Sequence, residues 1–181
     1  LPGDPFSGDP DIAKARGSII HLLMEHLPAL PAADRYDVAA RLVAAWPNDD
    51  AIETDGLIAD ALALIDTPRL SHLFANETLA EVDITADIFS LRRRVHGTID
   101  RLIVESDRVI AVDFKTNRLV PAAPDQVPEG LLRQMGAYAE ALKAIYPDRD
   151  ILTAILWTQS ASLMQLPPEL TAAALARAEV P

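Results

Sequence analysis

The chain has 181 residues, of which 50% are hydrophobic and 24% are charged, and its formal net charge is -11. This balance is typical of one folded domain with a sizeable core and excludes a disordered chain, while the negative charge argues against indiscriminate DNA binding. The absence of cysteine excludes disulfides, thiolate nucleophiles and cysteine-bound zinc or iron–sulfur clusters, and it fits a reducing, cytoplasmic compartment.

The first half of the chain is predicted to be mainly helical. The run Leu1–Pro10 is rich in Pro and Gly and predicts a linker, and the start at Leu1 instead of Met indicates an excised part of a longer chain. Apolar spacing and flanking prolines predict helices at residues 11–26, 32–46 and 50–65, with Asp11 capping the first of them, and a short helical turn at 70–74.

The second half is predicted to be α/β. Apolar alternation predicts a strand at 78–89, and richness in Val and Ile predicts strands at 94–105 and 108–115, which Ser106-Asp107 joins as a hairpin. After a Pro-rich loop at 119–128, we expect a helix at 129–145, strands at 151–158 and 162–166, and a final helix at 169–178 that the preceding turn caps. The order predicts one α/β domain over residues 11–181, with a mainly helical part at 11–75 and a core around a mixed central sheet at 76–181.

Two acids and a lysine interrupt the apolar hairpin. Because side chains alternate between the faces of a strand, Asp113 and Lys115 share a face, and a tight hairpin can place Asp100 near Asp113. Two carboxylates can hold Mg²⁺, which polarises a phosphodiester, and a lysine beside them can orient water or stabilise charge on phosphorus. An isolated Asp-x-Lys is more often a surface salt bridge, so this interpretation depends on further motifs.

Four short motifs follow one another along the chain. They are Arg16-Gly-Ser-Ile-Ile-His21, Gly97-Thr-Ile-Asp100, Asp113-Phe-Lys115 and Gln134-Met-Gly-Ala-Tyr138. Together they resemble the RecB-like branch of the PD-(D/E)XK nucleases, and in particular the C-terminal nuclease domain of AddA-type helicase–nuclease subunits of alphaproteobacteria. The resemblance covers nearly the whole chain and implies a restriction-endonuclease-like fold, in which helices flank a mixed central sheet.

The resemblance also implies a role for each motif residue. The metal ligands would be His21, Asp100, Asp113 and the carbonyl of Phe114, the catalytic lysine would be Lys115, and Gln134 and Tyr138 would orient their helix or contact the DNA backbone. The implied cofactor is Mg²⁺, with Mn²⁺ as a substitute that suits a histidine ligand. The implied partners are DNA, as a single strand from unwound duplex, the helicase portion of the same parent chain, and an AddB-type subunit, all acting in double-strand break repair.

Other interpretations stay open. His21 lies in a helix that is apolar nearly all round and could be a hydrogen-bonded core histidine, while Gln134 and Tyr138 could simply pack their helix onto the sheet. Glu25 could support His21, and Arg92 to Arg94 could contact DNA phosphates, but a solvated position explains each of them equally well. Glu81 could help position substrate, but an exposed acid at a strand edge is the simpler interpretation. The alternative function is a catalytically inactive nuclease-like module that binds a partner subunit. The acidic charge favours that alternative slightly, and the complete set of motif residues disfavours it.

Overall fold

A computed structural model of the chain describes residues 10–47, 53–88, 93–117 and 119–179. The chain divides into two compact units, of which unit 1 comprises Leu1–Asn76, Phe114–Leu119 and Trp157–Ser162, and unit 2 comprises Glu77–Asp113, Val120–Leu156 and Leu163–Pro181. The single domain over residues 11–181 stays a prediction. Residues 1–9 of the expected linker lie outside the described residues, and Pro10 is the first residue of a helix.

Unit 1 is built mainly from helices. They are α1 (Pro10–His26), α2 (Ala32–Ala45), α3 (Thr54–Ile65) and a 3₁₀ helix at Pro68–Leu73. The predicted cap of α1 is wrong, because the helix begins one residue earlier and Asp11 lies in its first turn. The start of the third predicted helix, at residues 50–52, lies outside the described residues. The apolar faces of these helices form a core of fully buried side chains, among them Ile19, Leu23, Leu57, Ile58 and Leu70.

Five strands form a sheet in which they follow one another in chain order. They are β1 (Leu79–Ile88), β2 (Arg93–Val104), β3 (Arg108–Lys115), β4 (Asp150–Trp157) and β5 (Ser162–Leu166), and the helices of unit 2 are α4 (Glu129–Ile145) and α5 (Pro168–Ala176). The predicted strands and helices are confirmed within one to three residues at most ends. No side chain caps α5, which follows Pro167 directly. Among the described residues, no helix is both long and apolar enough to cross a membrane.

Within unit 2, α4 packs against β1, β2 and α5. Gly136 makes the approach of α5 possible, since a Cβ there would lie 2.5 Å from the carbonyl oxygen of Thr171. The face of α4 that meets these elements is apolar and carries Leu132, Met135 and Leu142, each almost completely buried. This packing fixes the rotation of α4 and therefore the direction in which its polar side chains extend.

The register of the first three strands decides which side chains oppose one another. β1 and β2 are antiparallel, with Ala80 opposite Arg101 and Val82 opposite Ile99. β2 and β3 are also antiparallel, and their paired residues run from Val104–Val109 to Arg101–Val112. The next residue on each of these two strands, Asp100 on β2 and Asp113 on β3, is acidic.

Candidate active site

Asp100 and Asp113 are the first residues beyond the paired part of the β2–β3 hairpin. Because Arg101 pairs with Val112, the same register places Asp100 opposite Asp113, and opposed residues of an antiparallel pair extend from the same face. Both carboxylates are buried, with 8% of Asp100 and 4% of Asp113 exposed. Since buried carboxylates are rare unless they are paired or bind a cation, this juxtaposition is a strong indication of a site.

Glu81, for which the sequence favoured an exposed position at a strand edge, is partly buried and adds a third acid to this row. It occupies the position of β1 between Ala80 and Val82, which pair with Arg101 and Ile99, so it falls level with Asp100. Carboxylate oxygens of Glu81 and Asp100 lie within 4.8 Å of each other. Glu81 has a φ of 47°, a left-handed conformation that costs a non-glycine residue about 1–3 kcal/mol. The row Glu81, Asp100 and Asp113 therefore crosses three neighbouring strands of unit 2.

Gln134 and Tyr138 connect α4 to this row. Gln134 Nε2 donates to Asp113 Oδ1 at 3.1 Å and to the Tyr138 hydroxyl at 3.0 Å, so its two amide hydrogens serve two partners. The Tyr138 hydroxyl in turn donates to the carbonyl of Thr98 at 2.8 Å. Burial raises the pKa of Tyr138, and the negative charges of Asp113 and Asp100 raise it further. The two side chains therefore do more than pack α4, because they fix the Asp113 carboxylate.

The close approach of Tyr138 explains why residue 97, three positions before Asp100, is a glycine. A Cβ at this position would lie 2.7 Å from Tyr138 Cε1 and 3.0 Å from the Tyr138 hydroxyl oxygen. The strand and the tyrosine ring can be this close only if residue 97 has no side chain. The glycine of one motif and the tyrosine of another are thus two sides of one contact.

His21 and Phe114 meet in unit 1. His21 Nε2 lies 3.2 Å from the carbonyl oxygen of Phe114, and the histidine ring meets the edge of the Phe114 ring with centroids 5.8 Å apart. The separation suits a hydrogen bond, and it also suits shared metal binding, because neighbouring ligands of an octahedral ion at about 2.1 Å are about 3 Å apart. One turn earlier on α1, a Cβ on Gly17 would lie 3.3 Å from Thr116 Oγ1, so this glycine permits a close approach to the segment after β3.

Lys115 is the last residue of β3 and is half-buried. Its carbonyl accepts a hydrogen bond from Thr158 Oγ1 at 3.3 Å. It lies two positions after Asp113 on the same strand, so strand alternation gives the two side chains the same face.

Glu25 and Arg92 to Arg94, whose roles the sequence left open, have other partners or fall outside the described part of the chain. A carboxylate oxygen of Glu25 lies 3.9 Å from His26 Nε2, and Arg94 forms a bidentate ion pair with Asp87. Arg92 and the Arg93 side chain lie outside the described residues. These pairs give Glu25 and Arg94 a structural explanation that needs no substrate.

A family model for the PD-(D/E)XK nuclease superfamily matches residues 4–179. The chain belongs to this superfamily. Its fold is accordingly the restriction-endonuclease-like one, with a five-stranded sheet and helices beside it. No curated protein matches the chain.

One solved structure is similar to this chain in fold. The crystal structure of an inferred exonuclease from Eubacterium rectale is similar with a TM-score of 0.57 and 10% sequence identity, over 96% of this chain and 66% of that one. At this identity the likeness concerns the fold alone, and the chain spans just under two thirds of that structure's length. The structure of SSO0001 matches with a TM-score of 0.39 and 15% identity, over 88% of this chain and 72% of that one, and supports no inference.

The donor set suits the divalent metal that PD-(D/E)XK nucleases use. In unit 2, the row of Glu81, Asp100 and Asp113 offers only carboxylate oxygen, which is the donor that Mg²⁺ prefers. In unit 1, His21 and the Phe114 carbonyl offer a nitrogen and an oxygen, and an imidazole ligand also suits Mn²⁺. Because the sequence has no cysteine, no thiolate competes for a softer metal. The residues present therefore fit a hard divalent cation.

Proposed function

We propose that this chain hydrolyses DNA phosphodiester bonds with the help of a divalent metal ion, Mg²⁺ in the first place. The observation that carries the proposal is that Asp100 and Asp113 are both buried and lie opposite each other, immediately beyond the last paired residues of the β2–β3 hairpin. Two opposed carboxylates can bind a hard divalent cation through their oxygens, and such an ion would compensate their negative charge.

Each residue of the site would have a distinct task. Asp100 and Asp113 would hold the ion, with His21 and the Phe114 carbonyl as the further ligands that the family resemblance implies. With such an ion bound, the phosphodiester is polarised and a nearby water loses a proton more readily. Lys115 would orient that water and stabilise the negative charge that develops on the phosphoryl oxygens.

Gln134 and Tyr138 would hold the site in its working geometry. The bonds from Gln134 to Asp113 and from Tyr138 to the Thr98 carbonyl tie α4 to both strands of the hairpin. A carboxylate whose rotamer is fixed in this way is ready to bind an ion without further ordering, and such supporting contacts raise metal affinity by about 10- to 100-fold.

The biological setting that we propose is a cytoplasmic helicase–nuclease of the AddA type in double-strand break repair. The motif resemblance supports this setting, and the net charge of -11 is consistent with it, because a larger parent protein can supply the basic surface that DNA requires. In that setting the helicase portion of the same parent chain would deliver one unwound strand, and an AddB-type subunit would be the partner.

The direct test is the loss of activity in Lys115→Ala. Degradation of single-stranded DNA by the 181-residue chain is measured with Mg²⁺, and with chelator as the blank. We expect Lys115→Ala to lower the rate by about 100- to 1,000-fold, as the loss of one charge-stabilising group does. The matched control is Lys143→Ala, because Lys143 is an exposed lysine whose amine donates to the Arg149 carbonyl. Equal cutting by Lys115→Ala and wild type would refute the assignment.

Calorimetric titration separates an enzyme from an inactive docking module. We expect Mn²⁺ to bind the wild-type chain at a specific site that Asp100→Asn and Asp113→Asn weaken strongly. A docking module that kept the fold and lost the chemistry would show no such site, and that result would favour partner binding as the function.

A further inference from the structure

We infer that Thr158 is a positioning residue for Lys115, and that Arg69 holds it in place. The inference rests on the proposed function, since it concerns the lysine to which that function assigns the chemistry. Neither residue belongs to the motifs, and each acts within unit 1.

The first observation is the bond from Thr158 to the end of β3. Thr158 is 8% exposed, and its hydroxyl donates to the Lys115 carbonyl at 3.3 Å. Burying a hydroxyl costs free energy unless it is hydrogen-bonded, and valine would fill the same space without that cost. The hydroxyl at this position is therefore explained by the carbonyl that it holds, which is the last one of the strand.

The bond from Thr158 reaches the backbone of Lys115 itself, so it affects the direction of the lysine side chain. Thr116 and Asn117 follow β3 without regular structure, so the peptide after Lys115 is where the strand can be held. A lysine side chain has a long, freely rotating stem, and the direction of that stem depends on the backbone at its root. A displacement of about 1 Å at a reacting group can lower a rate by about 100-fold.

The second observation is that the turn carrying Thr158 is itself clamped. Residues 158–160 form one turn of 3₁₀ helix, and Ala161 ends it in a left-handed conformation with a φ of 49°. Arg69 donates from Nε and Nη2 to the carbonyl of Ala161 at 3.2 and 3.0 Å, and from Nη2 to the carbonyl of Ser160 at 3.3 Å. A guanidinium that serves two successive carbonyls fixes both the position and the orientation of the turn.

Together these contacts form a chain of support from Arg69 through the 158–161 turn to Lys115. A merely structural role would show as lost stability alone. A positioning role predicts that kcat falls while the affinity for DNA stays the same, because the contacts that bind the DNA strand before reaction are unaffected.

The test compares Thr158→Val, Thr158→Ser and Arg69→Ala in the full 181-residue chain. We expect Thr158→Val to lower kcat on single-stranded DNA by about 10-fold, with KM within about 2-fold of wild type. Thr158→Ser keeps the hydroxyl and should therefore retain most of the wild-type kcat. Arg69 is exposed, so Arg69→Ala should fold and should lower kcat less. The matched control is Thr171→Val, which also removes the hydroxyl of a buried threonine, one that donates to the Pro168 carbonyl.

A readout without catalysis completes the test. Loss of the Thr158 hydroxyl should shift the NMR signal of the Thr116 amide, which shares a peptide group with the Lys115 carbonyl, and Thr171→Val should leave that signal in place. If Thr158→Val matches Thr171→Val in kcat, or if serine does not rescue it, the inference is overturned. If wild type shows no metal-dependent cutting or Lys115→Ala cuts normally, the proposed function itself fails, so the two failures are distinct.

Discussion

Gly97→Ala should damage the site through a single methyl group. The added Cβ would lie 2.7 Å from Tyr138 Cε1, closer than real Cβ atoms come to a neighbour. The ring cannot swing aside freely, because Tyr138 is only 6% exposed and its hydroxyl is bonded to both Thr98 and Gln134. Overpacking of this kind costs about 1–3 kcal/mol of folding free energy. For a chain of this size, each kcal/mol lowers the melting temperature by about 2–4 °C.

The same methyl group should also lower activity, because a displaced Tyr138 carries Gln134 away from Asp113. Thermal and urea denaturation measure the first effect, and the rate of single-strand degradation measures the second. Gly130→Ala is the matched control, since nothing lies within 4 Å of its added Cβ, and we expect it to leave stability unchanged or slightly raised. Combining Gly97→Ala with Tyr138→Leu should cost less than the sum of the two single changes. A Gly97→Ala protein as stable and as active as wild type would refute the contact.

Three further expectations concern the metal, the third acid and pH. Saturating Mn²⁺ should stabilise the wild-type chain by about 2.7 kcal/mol at 100 times its Kd, and Asp113→Asn should abolish the rise in melting temperature; an equal rise would place the ion elsewhere. Glu81→Gln should weaken Mn²⁺ binding in calorimetry, whereas Asp83→Asn, two residues along the same strand, should not. The bond from Arg94 holds the pKa of Asp87 below its usual value, so this pair stabilises the fold above the ordinary carboxyl pKa and ceases to do so as pH falls through the lowered value. In Arg94→Gln, an NMR titration should show the Asp87 pKa return upward.

The two acids of the hairpin could be predicted as neighbours from the sequence, because the connection between β2 and β3 is short. A connection as short as Ser106-Asp107 allows few registers, although the sequence alone does not choose among them. The opposition of Asp100 and Asp113 follows from such a register. The strands themselves were equally accessible, since β2 and β3 are rich in Val and Ile.

Glu81 could not be found in this way. The connection between β1 and β2 spans residues 89–92, and a longer connection leaves several registers open, so the sequence could not place residue 81 level with Asp100. Its left-handed backbone is also unusual for a glutamate and gives no signal in a pattern of apolar alternation. The contact between Arg69 and the 158–161 turn joins residues about 90 positions apart, and no local periodicity reports such a contact.

The motifs gain their meaning from one another. Gly97 leaves space for Tyr138, Tyr138 orients Gln134, and Gln134 holds Asp113, so the glycine of one motif is required by the geometry of the next two. A chance occurrence of these residue types would not place each in contact with the next. The motifs of Gly97, Asp113 and Gln134 therefore meet at the Asp113 carboxylate, which argues that they are parts of one site. A change in any of them should alter the position of that carboxylate.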